Sequence, residues 1–114
     1  MEGYDFTKRD WLLFKSRIGG WQEAYMDRLN HEYIELLSAD GIASDKFWAL
    51  EERIRADRRS IGVRIEMRRS MFYANLFSLL ANGIIAINDL EDFSDEVKGR
   101  LGRFYLREKT TESE

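Results

Sequence analysis

The residues of this 114-residue chain best equipped for chemistry are seven arginines between positions 53 and 69: Arg53, Arg55, Arg58, Arg59, Arg64, Arg68 and Arg69. A guanidinium is a planar fork of donors that matches carboxylate or phosphate oxygens two at a time. Such a run reads in two ways. It is an anion or nucleic-acid contact surface, or it is the internal counter-charge to acidic segments elsewhere. The overall balance favours the second reading. The net charge is −3 and the isoelectric point about 5.3, whereas sequence-independent nucleic-acid affinity comes from excess positive charge.

Charge is segregated along the chain. Residues 21–45 carry a net −5, residues 46–70 a net +4 and residues 71–114 a net −3. The acidic segment 21–45 and the cluster Asp89, Glu91, Asp92, Asp95 and Glu96 are therefore the candidate counter-charges for the arginines.

Other chemistry is sparse. The chain has no cysteine, which removes disulfides, thiolate metal sites and a cysteine nucleophile. Its single histidine, His31, lies in Asn30-His31-Glu32 with Glu35 one turn further on. One imidazole does not supply a histidine zinc site, no nucleophile stands beside it in the sequence, and a surface or structural role is expected. Phosphate-loop, dinucleotide, nucleophile-elbow and HExxH patterns are absent. Asp89-Leu90-Glu91-Asp92 lacks the spacing of a calcium loop and reads as helix capping and surface charge. The expectation is no catalytic residue, no metal and no cofactor, in a protein that is not an enzyme.

The elements that must position these residues read as helices. No proline interrupts the chain, and proline is the strongest helix breaker. Thr7 with Asp10 three residues on forms a capping-box variant. Trp11, Leu12, Phe14, Ile18, Trp21, Tyr25, Leu29, Tyr33, Leu36 and Leu37 then recur at a helical period. Gly19-Gly20 interrupts this stripe, and two glycines cost about 2 kcal/mol in a helix, so a bend is expected between helices at about 8–18 and 20–38. Ser44 is the expected cap of a next helix running to about Arg59, with Phe47, Leu50 and Ile54 as its core stripe.

Residues 61–67 are ambiguous. Ile61, Val63, Ile65 and Met67 alternate at a strand-like period of two, yet Ile65, Phe72, Leu76, Leu79 and Leu80 continue a helical stripe. With no second strand to pair, the expectation is one helix over about 62–82, closed by Gly83. One short helical turn is expected near 88–93, then a final helix capped by Ser94 with Val97, Leu101, Phe104 and Tyr105 inward. The fold class expected is all-α, a compact bundle of four to five helices. It forms a single domain over residues 1–109, with a frayed tail at 110–114.

Trp48 is adjacent to Phe47, so the two point about 100° apart on a helix and cannot share one narrow core face. Met71, Phe72, Tyr73 and Phe77 make the later helix apolar over most of its circumference. This surplus predicts a partner surface at Trp48, Phe72, Tyr73 and Phe77, toward a homodimer partner or a larger protein. The N-terminal residues lack a basic and an apolar signal region. The most apolar stretch, Met71–Ile87, is shorter and more polar than the ~20 residues a membrane span needs. A soluble, cytoplasmic protein without membrane contact is expected.

The runs Gly20-Trp21-Gln22-Glu23-Ala24-Tyr25-Met26, Glu32-Tyr33-Ile34-Glu35-Leu36-Leu37, Ala43-Ser44-Asp45-Lys46-Phe47-Trp48 and Asp89-Leu90-Glu91-Asp92-Phe93-Ser94-Asp95-Glu96 carry a resemblance across roughly residues 9–102. They resemble a family of small helical proteins of Gram-positive, gut-type bacteria that carries no assigned activity. The resemblance implies a helical domain and an accessory protein of mobile or phage-derived DNA, and it brings no site residues. Three functions are consistent with these readings. The first is a non-enzymatic protein–protein interaction or regulatory module. The second is a nucleic-acid-binding regulator using the arginines of residues 53–69. The third is a mobile-element inhibitor whose acidic residues Asp89, Asp92 and Asp95 would enter the basic groove of a host nucleic-acid-processing enzyme.

Overall fold

The computed structural model describes residues 5–112, with side chains described through Leu106. Among the described residues there are four α-helices and no strand: α1 Lys8–Ser38, α2 Ala43–Asp57, α3 Phe72–Ala81 and α4 Asp95–Glu112. Two 3-10 turns, Arg69–Met71 and Ile87–Leu90, precede α3 and α4. The second of these is the short turn expected near 88–93. The fold is all-α.

The capping box at the start of α1 is formed. Thr7 Oγ1 accepts from the Asp10 backbone N–H, and Asp10 Oδ2 accepts from that of Thr7, both at 3.0 Å. From there α1 runs 31 residues without interruption, so the bend expected at Gly19-Gly20 is absent. Helix propagation is cooperative once nucleated, and packed side chains on both sides of the pair offset the ~2 kcal/mol the two glycines cost. Neither glycine admits a neighbouring backbone; an added β-carbon at either would meet open space.

The second correction concerns residues 58–71. The helix expected over 62–82 begins only at Phe72, after a turn and an extended stretch. The period-two pattern is literal there. Ile65 and Met67 are half-buried against the core while Arg64, Glu66 and Arg68 face solvent. No strand partners this segment. The buried Asn75 of α3 serves in its place, donating from Nδ2 to the Glu66 carbonyl at 2.9 Å. Gly62 lies in the turn before the stretch, where a β-carbon would overlap the ring of Tyr25. The chain crosses α1 where only glycine fits.

The core lies between the first half of α1 and helices α3 and α4. Trp11, Phe14 and Ile18 meet Phe72, Leu76, Leu79 and Leu80, with Val97 and Leu101 closing the far side. Phe72 is wholly buried at the centre, its ring 4.0 Å from that of Phe6 and 5.7 Å from that of Phe14. Gly83, at φ +69°, closes α3 as expected.

The second half of α1 leaves this core and pairs with α2 as a helical hairpin, held at its base by the turn at Gly62 and by Arg28 on the Gly83 carbonyl. The consequence is an elongated molecule. Its principal extents are 59 × 34 × 20 Å and its radius of gyration is 17.2 Å, against about 13 Å for a compact domain of this length. Of the tail expected at 110–114, residues through Glu112 continue α4, and 113–114 lie outside the described residues, as do residues 1–4 of the domain.

Candidate functional site

The α1–α2 hairpin holds together by polar contacts, and this decides what it leaves exposed. Tyr33 of α1 donates from its hydroxyl to Asp57 Oδ2 of α2 at 2.6 Å. Arg53 lies over the Tyr33 ring and donates to Glu32 at 2.7 Å and to Asp57 at 3.4 Å. Burial, followed by the hydrogen bond to the Asp57 carboxylate and its charge, pushes the Tyr33 hydroxyl up to about 12. At the hairpin tip, Lys46 Nζ donates to the Leu37 and Ala39 carbonyls. An ammonium there satisfies orphan carbonyls at the helix end and complements its dipole.

These contacts occupy the side of α2 that faces α1, at Lys46, Arg53 and Asp57. Leu50, between Lys46 and Arg53, is half-buried, and the other large apolar residues of α2, Phe47, Trp48 and Ile54, lie on its flank. No residue of α2 is buried. Phe47 and Trp48 are 62% and 63% exposed, with their rings edge to face at 4.9 Å, and Ile54 is 43% exposed. This corrects the expectation that Phe47, Leu50 and Ile54 form a core stripe. The cap differs too: α2 starts at Ala43 behind Ile42, with Ser44 inside its first turn.

The flank is concave. Phe47, Leu50, Glu51, Ile54, Arg55 and Arg58 line a groove of about 370 Å³ along α2. A second groove of about 300 Å³ between α1 and α2 is lined by Met26, Leu29, Tyr33 and Val63, and shares Ile54 and Arg58 with the first. The two grooves thus meet along the second half of α2. Among the described residues, Ile34, Leu37, Ile42, Phe47, Trp48 and Ile54, all in the hairpin, are six of the ten large hydrophobics that stay exposed.

The accessible surface of the whole chain is 7965 Å². A compact chain of 13.5 kDa exposes about 6,500 Å². The excess goes with the elongated shape of the molecule.

The partner surface expected from the sequence is divided by the fold. Trp48 lies on the exposed flank. Phe72 does not: it is the centre of the core, which corrects its assignment to a partner surface. Tyr73 and Phe77 are half-buried against the core. Arg100 lies over the Tyr73 ring at 4.2 Å, and Phe77 stacks on Phe104 at 4.1 Å. The broad apolar circumference of α3 is thus consumed within the chain, by the core on one side and α4 on the other. Phe47 and Ile54 belong to the flank, whereas their spacing with Leu50 predicts an inward stripe. The divergence of Phe47 and Trp48 was the available signal, although it did not say which of them faces out.

The arginines divide as well. Arg53 pairs with Glu32 and Asp57, Arg55 with Glu51, and Arg68 with Glu66. Arg69 lies over the Trp11 ring at 5.9 Å. Arg58, Arg59 and Arg64 form no ion pair among the described residues and surround the turn that leaves α2. The acidic cluster near α4 is engaged elsewhere. Asp92 pairs with Arg17 at 2.8 Å, which holds its carboxyl below the usual range. Asp89 Oδ2 accepts from the Ala86 N–H, and Asp95 pairs with Lys98.

His31 is exposed, and its Nδ1 donates to the Asp27 carbonyl at 2.8 Å rather than engaging Glu35. Among the described residues no three acidic or histidine side chains converge as a metal site, and no helix is long and apolar enough to cross a membrane.

Comparisons of this chain with protein-family models, with curated proteins and with solved structures found no match.

Proposed function

We propose that this chain is a cytoplasmic, non-enzymatic docking module that receives a partner protein's helix on the exposed flank of α2. One observation carries the reading: α2 has no buried residue, yet it holds Phe47, Trp48 and Ile54 in solvent beside a continuous groove. Removing the exposed part of such side chains from water favours association. An amphipathic helix laid into an apolar groove uses anchors spaced three and four residues apart, the spacing of Phe47, Leu50 and Ile54. The lack of cysteine fits the reducing cytoplasm.

The test is photo-crosslinking in living cells from a photoreactive residue at position 48, with a control at the exposed Lys15 of α1. The expected result is a discrete protein adduct from position 48, absent from position 15 and abolished by Ile54→Glu. No adduct from position 48, or one that Ile54→Glu leaves intact, overturns the reading.

A second reading rests on a different observation, the three arginines without ion pairs at positions 58, 59 and 64. They could contact phosphates of a nucleic acid. A mobility-shift assay at low salt tests this, and the expected binding should fall steeply by ~200 mM salt. Absence of binding at low salt, or binding that Arg58→Gln with Arg59→Gln leaves unchanged, removes it.

A further inference from the structure

The hairpin is charged unevenly along its length. Its tip, residues 33–46, carries Glu35, Asp40 and Asp45 against the single Lys46, a net −2. Its base pairs residues 53–64, with five arginines and one aspartate, against residues 22–32 of α1, whose Glu32 bonds Arg53, for a net +2. The two charged regions occupy opposite ends of the 15-residue α2, which is about 22 Å long. Tip and base are thus equal and opposite, and the apolar groove runs between them.

We propose that the helix received on α2 is the α2 of a second copy of this chain, packed antiparallel about a two-fold axis near Leu50. The proposal rests on the docking reading above and names its occupant. Turning α2 end for end about Leu50 sets Asp45 of one copy beside Arg55 of the other. The Asp40 loop then lies beside Arg58 and Arg59. A parallel pair would instead set acid against acid and base against base. The two-fold operation covers the flank on both copies with one contact, so assembly stops at two. Two hairpins joined this way make a four-helix layer, which gives α2 the second packing neighbour it lacks in a single copy.

Light scattering and sedimentation of the full chain test this, with two charge-reversed variants. The tip variant carries Asp40→Arg and Asp45→Arg; the base variant carries Arg58→Glu and Arg59→Glu. None of the four side chains makes an ion pair among the described residues, and circular dichroism checks that both variants keep the helical content of the parent. The parent should run at twice its 13.5 kDa mass. Each variant alone should dissociate at least about tenfold more readily, because like charges then face each other. Mixed in equal amounts, the two variants should recover the dimer, since every tip then meets a base of opposite sign.

A parent that stays monomeric up to millimolar concentration overturns the second copy as occupant. The docking reading then stands or falls on whether position 48 crosslinks to a protein of different mass. A dimer indifferent to both reversals overturns the antiparallel arrangement. Where a reversed variant fails to fold, Trp48→Glu with Ile54→Glu on the exposed flank serves in its place. It should give a folded monomer, and a persisting dimer overturns the proposal.

Discussion

Asp10 and Ser94 are 84 residues apart in sequence and share two hydrogen bonds: Ser94 Oγ donates to Asp10 Oδ2 at 2.7 Å, and the Ser94 N–H to Oδ1 at 2.9 Å. Asp10 is wholly buried. One carboxylate therefore caps α1 through Thr7 and anchors the residue that opens α4. Burial works to raise its pKa, but the hydrogen bonds from Thr7 and Ser94 outweigh it, and the net shift is downward.

Asp10→Ala should destabilise the protein by about 2–4 kcal/mol, because it leaves the Thr7 and Ser94 donors without their acceptor. The lowered pKa also sets a pH dependence. The carboxylate's contribution is complete above its ordinary value of 3.8 and is lost as pH falls through the lower folded value. Urea unfolding at pH 7 and pH 3 should show the parent and Asp10→Ala differing most at pH 7 and converging in acid.

Gly62→Ala should cost about 1–3 kcal/mol, since the added carbon forces the Tyr25 ring from its place. Combining it with Tyr25→Ala should recover part of that loss, as a double-mutant cycle by chemical denaturation would read. Strict additivity of the two changes would refute the contact.

Gly19→Ala and Gly20→Ala should each stabilise by about 0.5–1 kcal/mol. Both positions are helical and exposed, with open space around a new β-carbon. Thermal unfolding should show a rise of several degrees for each. A fall in either variant would contradict an unbroken, unencumbered helix at these two positions.

Tyr33→Phe should loosen the hairpin by about 0.5–1.5 kcal/mol through loss of the bond to Asp57. In the parent, one phenol should ionise only near pH 12 by ultraviolet titration, and the variant should lack that late step. The raised pKa means that this contribution is complete below the ordinary value of 10.0 and is lost as pH rises through about 12.

Phe47→Ser and Trp48→Ser should leave the stability of a single copy within about 0.5 kcal/mol of the parent, measured at dilutions that exclude association. Phe72→Ala should cost about 3–5 kcal/mol. The contrast separates two residues of the partner surface expected from the sequence, Trp48 and Phe72, that the fold places in opposite environments.

The all-α class, the Thr7–Asp10 box, the closure of α3 at Gly83 and the inward face of α4 were all legible in the sequence. Each depends on contacts within a turn or on a single periodicity, and local spacing determines both. Three matters were decided only by tertiary structure. The first is the unbroken α1, where packing on both sides of Gly19-Gly20 outweighs a local penalty. The second is the extended stretch 64–68, whose missing strand partner is a side chain, Asn75, contributed from α3. The third is the sorting of apolar residues between core and flank. Periodicity says that Phe47, Trp48, Phe72 and Phe77 lie on faces, but not which face finds a neighbour. α3 found two neighbours and α2 only one, because the salt bridges and the tyrosine of the hairpin seam turned the apolar side of α2 toward solvent.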